Sequence, residues 1–429
     1  MSSARRGLQG AAALAAATAL LLTGCGGGGD GDDGDDGTVT LQWWHIGTTE
    51  PNHTLYSDWA REFEAENPGV RIEITELEND AFKTKMATQT AAGDLPDVFS
   101  TWGGGALQQQ VDAGLVRELT EDAAATIESF TEAAIAPYTL DGEVYGLPID
   151  AGMVGFWYNQ AHFTEAGIDR PPATWSEFLD AVRDLKEAGI TPIALGGQSR
   201  WPGHYYWAYL AMRTGGLQML DEAAESNDFT ADGFVRAGEM LRELADMEPF
   251  QPGFMGAEYD TPEGQAALVG SGEAAMELMG QWAPAVQADT GGGIGEDLGF
   301  FRFPVVEGGA GDIDEVLGGG NGFAVAADAP DEALEFVRYL AAEPQQAEYV
   351  RAGAGLPARA DAIGLIEDET LREVAEALAG ASGFQLYLDQ AYPPAVGQQI
   401  NESVAGILAG STSPREAVEA ITAAARTEG

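Results

Sequence analysis

Residues 38–100 switch between two periodicities with almost nothing between them. T-V-T-L-Q-W-W at 38–44 alternates like a strand. Residues 54–67 place Leu55, Trp59, Ala60, Phe63 and Ala65 at helical spacing and stop at Pro68-Gly69. V-R-I-E-I-T at 70–75 alternates again, 80–92 reads as a helix ended by Gly93, and 96–100 reads as a third, short strand. Strand, helix, strand, helix, strand with links this short admits few arrangements. Parallel neighbours need a crossover helix, and the helices must cover the sheet, so an α/β fold is expected.

The same logic returns further along. Asp141-Gly142 is a hairpin turn, and a crossing between domains is placed where Ile149-Asp150 runs into the apolar 153–158. Thr174-Trp-Ser-Glu177 is a capping box opening a helix that runs to Glu187, with Trp175 packed at its start. Helices are predicted at 229–247, 264–271 and 331–341, an apolar β-like run at 272–279, a strand at 298–304, and a single Gly-rich strand entry over 316–325. A chain of 429 residues with 45% hydrophobic content is long enough for two or three domains.

The N-terminus reads as a processing signal. Arg5 and Arg6 precede an apolar run at 10–22, too short to span a membrane comfortably, and Leu22-Thr-Gly-Cys25 follows. Small residues before the chain's single cysteine resemble the bacterial lipobox, so cleavage before Cys25 and lipidation of its sulfur are expected. The folded part would then be lipid-anchored at the extracellular face of the cytoplasmic membrane. Residues 25–37, almost wholly Gly and Asp, read as a self-repelling tether without the EF-hand calcium pattern. The balance of 69 acidic against 21 basic residues argues against nucleic acid and against anionic lipid surfaces.

Enzyme motifs are scarce. Four histidines (45, 53, 162 and 204) form no H-E-x-x-H, and neither a G-x-S-x-G elbow nor a G-x-x-x-x-G-K-[ST] loop occurs. No metal, cofactor or catalytic residue is expected. Gly318-Gly-Gly-Asn-Gly322 leads into an apolar strand and not a helix, so it reads as backbone packed closely under a ligand or a neighbouring strand. Carboxylate pairs are abundant enough to leave a secreted glycosidase open, with a cell-surface adhesion module as another class.

Aromatic residues at loop ends carry more. Trp43, Trp44, Trp102, Trp157, Trp201 and Trp282 lie at or near predicted strand ends or Gly turns, where the ligand crevice of an open α/β sheet forms. S-R-W-P-G-H-Y-Y-W-A-Y at 199–209 joins five rings to Arg200 and His204. Flat rings with polar edges suit a ligand with apolar faces and a hydroxylated rim, the description of a sugar. Trp201 and His204 are expected to face a cleft, with Trp207 and Leu210 inside.

The lipobox, T-V-T-L-Q-W-W, A-A-G-D-L-P-D-V-F at 91–99, G-E-V-Y-G-L-P at 142–148, P-P-A-T-W-S-E-F at 171–178 and G-E-A-A-M-E-L-M-G-Q-W at 272–282 occur in one order. Together they resemble the family 1 extracellular solute-binding proteins of ABC importers, in the carbohydrate branch. W-P-G-H-Y-Y-W-A-Y-L, T-W-G-G-G and L-Y-L-D-Q-A-Y-P-P-A-V-G look closest to binders of xylo-oligosaccharides such as xylobiose, and raffinose-type binders share much of this. The resemblance implies a monomeric two-lobed fold with a hinge and an interlobe ligand cleft, no catalysis, and importer membrane subunits as partners. It implies lobe one at 38–147 plus 316–355 and lobe two at 148–315 plus 356–429. Carried over by motif, the sugar contacts would be Trp44, His45, Glu50, Trp102, Asp150, Trp201, His204, Trp282, Asp389 and Gln390. The first turn lacks the Asp-Lys of the maltodextrin pattern, which argues against a maltodextrin ligand.

Overall fold

The computed structural model describes residues 38–428. The expected signal at 1–24, the tether at 25–37 and the lipidation site Cys25 lie outside the described residues. Among the described residues, no helix is long and apolar enough to cross a membrane.

The opening alternation folds as its pattern requires. Strands Val39–His45 and Val70–Glu76 pair in parallel, and Val98–Thr101 joins the other edge of the first, also in parallel. The helices Asn52–Glu66 and Asn79–Ala92 are the crossovers. Leu55, Trp59, Ala60 and Phe63 face inward, whereas Ala65 is exposed on the opposite side of its helix. Strand Gly322–Val325 runs antiparallel to Val98–Thr101 on one side and to Leu147–Pro148 on the other, and these two complete a five-stranded sheet.

Two other sheets build the second lobe. One is four-stranded, in the order Leu298–Phe301, Gly155–Asn159, Ala274–Met279, Thr191–Ile193. The other joins Gly383–Leu386, Glu315–Gly319 and Gly152–Met153. The Gly-rich 316–325 is therefore two strands in different sheets, not one strand entry. The switch falls at Gly320-Asn321, where the backbone lies against Asp150 too closely for a side chain at residue 320. Close backbone packing was the sequence expectation for these glycines.

Each lobe has its own core. One gathers Leu41, Trp43, Trp59, Phe63, Phe323 and Phe336. The other gathers Phe156, Trp157, Phe178, Tyr206, Trp207, Phe234 and Ile400. The Thr174 capping box forms, with its Oγ1 accepting from the Glu177 N–H at 3.3 Å, and Trp175 stacks on Phe178 and Phe303. Helix Trp201–Gly215 is buried on every side from Pro202 to Arg213, not on one face only. Helices Asp232–Asp246 and Pro394–Ala409 enclose it, as expected for a helix apolar all round.

Glu277, on the central strand Ala274–Met279, is wholly buried. It accepts hydrogen bonds from Gln265 Nε2 at 2.7 Å and Gln287 Nε2 at 2.6 Å. Burial, opposed by these two donors, pushes its carboxyl up to about 7. In the folded protein it keeps its proton up to that pH, while the unfolded chain loses it near the ordinary carboxylate value. The associated stability is present below the unfolded value and is lost as pH rises through about 7. Replacing Glu277→Gln, with Gln287 free to turn its unpartnered carbonyl toward the new amide, is expected to flatten part of the alkaline loss. The gain over wild type should reach about 3 kcal/mol near pH 8 and vanish near pH 4. Urea unfolding across that range checks it; parallel pH profiles for the two proteins would contradict the assignment.

Candidate functional site

One cleft, with about 1000 Å³ of empty space including its open mouth, takes walls from both lobes and a floor from the segments that join them. The first lobe contributes the turn 46–49, Asn79 and Lys83 at the start of helix Asn79–Ala92, and Trp102 after strand Val98–Thr101. The second contributes Trp201, Tyr205, Tyr259, Asp260, Trp282, Tyr387, Asp389 and Gln390. Asp150, Gly320, Asn321 and Tyr349 form the floor.

The aromatic wall is set by strand ends. Strand Ala274–Met279 stops at Gly280, and Trp282 caps the helix Ala283–Gly291. The turn is held from beneath by Trp157, whose Nε1–H donates to the carbonyls of Met279 at 3.1 Å and Gly280 at 3.0 Å. Trp157 is thus fully buried support and not a cleft residue. Trp282 lies 6.5 Å from Trp201 and 6.2 Å from Tyr387, and Trp201 lies 5.0 Å from Tyr259. Trp102 stands on the other lobe, edge-on to Phe82 at 5.9 Å, with Lys83 Nζ 5.2 Å from its ring centroid.

Behind Trp102, Gly103 and Gly104 adopt positive φ of 74° and 60°. A side chain at Gly104 or Gly105 would strike the backbone of Gln390 or Tyr392. That close approach sets the 387–392 segment against the first lobe. Asp389 lies there, its Oδ2 accepting from Lys83 Nζ at 3.0 Å and Asn401 Nδ2 at 3.2 Å. Burial works to raise the Asp389 carboxyl, but Lys83, His204 and these donors outweigh it and hold it below its ordinary value. The Lys83–Asp389 pair therefore ties one lobe to the other.

Of the residues carried over by motif, Trp102, Asp150, Trp201, Trp282, Asp389 and Gln390 line the cleft. Trp44, His45, Glu50 and His204 do not. Trp43 and Trp44 alternate across the sheet, so each sinks into a core on its own face, Trp44 with Lys85 Nζ 3.7 Å from its ring centroid. His45 is buried between Trp43 and Tyr56. Burial and then the charge of His53 lower its imidazole to about 3, and its Nδ1 accepts from the Gly47 N–H at 3.2 Å. It shapes the 46–49 wall from behind. Glu50 is exposed and accepts from Thr54 Oγ1 at 2.7 Å.

His204 is fully buried. Its Nδ1 must carry the proton it gives the Trp201 carbonyl at 2.7 Å, which leaves Nε2 facing Asp389 Oδ1 at 3.7 Å with no hydrogen-bond partner. Burial lowers its pKa, with Asp389 opposing, so His204 stands behind the wall as a support of Trp201 and Asp389.

Asp150 also turns inward. Its carboxylate accepts from the Asn321 N–H at 2.6 Å, Asn321 Nδ2 at 2.9 Å and Tyr349 Oη at 2.8 Å, so the carried-over ligand contact is committed to the floor. Sequence reasoning missed Lys83, Tyr205, Tyr259, Asp260, Asn321, Tyr349 and Tyr387. Tyr205 and Tyr387 sit inside motifs already singled out, and Asn321 interrupts a glycine run. Tyr259, Asp260 and Tyr349 lie in stretches with no local signal, because only tertiary contact brings them here.

Removing the Asp150 carboxylate strands a buried N–H, an amide and a phenol. Asp150→Ala is expected to lower unfolding free energy by about 2–4 kcal/mol, and Asp150→Asn by less, because one acceptor survives. Urea denaturation of both variants tests this, and an alanine variant as stable as wild type would contradict the floor assignment.

The fold has counterparts among solved structures. A structure from work on xylan utilization by the thermophilic bacterium Caldanaerobius polysaccharolyticus superposes with a TM-score of 0.83 at 30% identity, over 90% of this chain and 99% of that one. A chitin oligosaccharide binding protein superposes with a TM-score of 0.84 at 27% identity, over 91% and 99%. A multiple sugar-binding protein of Streptococcus mutans is 27% identical over 65% of this chain and 66% of its own. Putative binding proteins of Brucella abortus and Brucella suis are 28% identical over 46% of this chain, which spans about half, 48%, of their length. These likenesses support the two-lobed α/β architecture, and the family is one of solute-binding proteins, not enzymes. With its model matching residues 47–347, more than half of the sequence, the chain belongs to the bacterial extracellular solute-binding protein family.

Proposed function

We propose that the chain captures an oligosaccharide, xylo-oligosaccharides first, between its two lobes and delivers it to the membrane subunits of an ABC importer by closure about the joining segments. The observation that carries the reading is the convergence of Trp102 from one lobe and Trp201 and Trp282 from the other on one cleft, with polar groups between them. Rings stack on the C–H faces of a pyranose, and Asn79, Asn321, Asp389 and Gln390 meet its hydroxyl rim. The likeness to proteins described for xylan utilization and for chitin oligosaccharides supports the ligand class. The lobes we assign are 38–147 with 322–355, and 148–319 with 356–428. This moves the second crossing from 316 to Gly320-Asn321, where the chain changes sheets.

Thermal melts with xylobiose, xylotriose, chito-oligosaccharides, raffinose and maltotriose test the reading, since a ligand of the folded state raises its melting point. The xylo series should give the largest rise. A flat panel would contradict oligosaccharide capture, and a larger rise with raffinose or chito-oligosaccharides would reassign the sugar. Trp282→Ala should weaken binding of the best ligand by at least about 30-fold, with little change in melting temperature. A core tryptophan would instead cost about 3–5 kcal/mol of stability and leave binding by the folded fraction intact. Calorimetric titration and melts on that variant decide between the two.

The reading includes anchoring through Cys25, motivated by the lipobox-like Leu22-Thr-Gly-Cys25. Changing Cys25→Ala should abolish incorporation of radiolabelled fatty acid in a bacterial host. Equal labelling of wild type and variant would remove the anchor from the account.

A further inference from the structure

The cleft has a sign. Lys83 is the one lysine or arginine among its lining residues, and its ammonium is already engaged with Asp389 at 3.0 Å. The other charged lining groups are carboxylates: Asp150 on the floor and Asp260 on the second-lobe wall. Asp260 is half-buried and in hydrogen-bonding contact with Glu78, which reaches across from the first lobe, and the charge of Glu258 acts on both. Asp80, two residues on from Glu78, feels Lys83, Asp389, Arg200 and Glu258. Arg200 is held by Glu402 at 3.0 Å, and Glu258 accepts from Gln198 Nε2 at 2.7 Å. Among the described residues, the two cations that act on Asp80, Lys83 and Arg200, are thus each already paired with another carboxylate.

The carboxyls respond accordingly. Glu78, Asp80 and Asp260 are all held above the ordinary carboxylate range. Burial is the first cause in each, and neighbouring carboxylates add to it. Groups that resist their own negative charge mark a place where another is opposed.

Resting on the sugar-capture reading above, we propose that Asp260, backed by Glu78, Asp80 and Glu258, makes the cleft a charge filter: it admits neutral oligosaccharides and rejects those carrying a uronate. The filter acts by Coulomb repulsion and not by shape. It weakens as salt screens the partly exposed carboxylates. It also weakens as pH falls, because protonation removes the repelling charges while a uronate stays ionised.

Three probes separate charge from bulk: xylotetraose, xylotetraose bearing a glucuronosyl side group, and the methyl ester of that second sugar. Calorimetric titration at low salt near pH 8 should give similar affinities for the plain sugar and the ester. The acid should bind at least about tenfold more weakly. Adding salt, or lowering pH until the raised carboxyls take up protons, should narrow the gap for the acid and leave the neutral sugars nearly unchanged. Glu78→Gln, outside the lining residues, should narrow it too, and Asp260→Asn should narrow it further. Rejection of acid and ester alike would mean a steric limit and overturn the filter. Equal binding of acid and plain sugar, or a gap insensitive to salt, pH and Glu78→Gln, would overturn it as well. Loss of all three ligands would instead remove the xylo-oligosaccharide reading, and the filter with it.

Discussion

The buried Asp150 carboxylate organises the place where the chain passes between its lobes. Three stretches converge on it. Residues 148–152 carry it, Gly320-Asn321 lies on it through the Asn321 N–H and side-chain amide, and 356–358 pairs alongside, with Ala358 N–H donating to Ile149 O at 3.3 Å. Tyr349 donates to it and Gln346 donates to the Ile149 carbonyl at 2.6 Å. An ionised carboxylate buried like this is costly unless its lone pairs are filled. Here the donors come from Asn321 at one crossing and from Tyr349 on the helix Glu343–Arg351, so satisfying the charge and aligning these segments with 148–152 are one event. Burial still raises its pKa overall, with these donors opposing.

Two independent cores are what make a cleft between them. Each sheet is covered on its own account, so the facing surfaces need not be apolar and are free to carry polar groups and ring faces. The rings are not loose: Trp282 stands on a turn fixed by Trp157, Trp201 is braced by Tyr205 and Tyr259, and Trp102 backs onto Phe82. Braced rings lose little freedom when a ligand stacks on them, which favours binding through preorganisation. The Lys83–Asp389 pair spans the same gap in polar currency, and a bound sugar would meet both kinds of contact at once.

Much of the fold was legible because periodicity acts locally. The alternation at 39–42 and 70–73 and the helical spacing of Leu55, Trp59 and Phe63 depend on burial of one face, which a single segment records. The Gly320-Asn321 switch was not legible, since glycines before an apolar strand look alike whether the sheet continues or changes. The site was readable where a ring follows a strand end, as at Trp102 and Trp282. It misled at Trp44 and His45, because a strand's last residues alternate between core faces before the wall begins at Ile46. Tyr259, Asp260 and Tyr349 reach the cleft through long-range packing that no local pattern encodes.

The central claim is that one ligand is held by both lobes at once. A crystal structure of the protein grown with xylotriose tests it most directly. The account predicts a single sugar chain in the cleft, with Trp102 against one part of it and Trp201 or Trp282 against another, above the Asp150–Asn321 floor. A sugar bound outside the cleft, or held by one lobe's rings alone with the other lobe turned away, would contradict it.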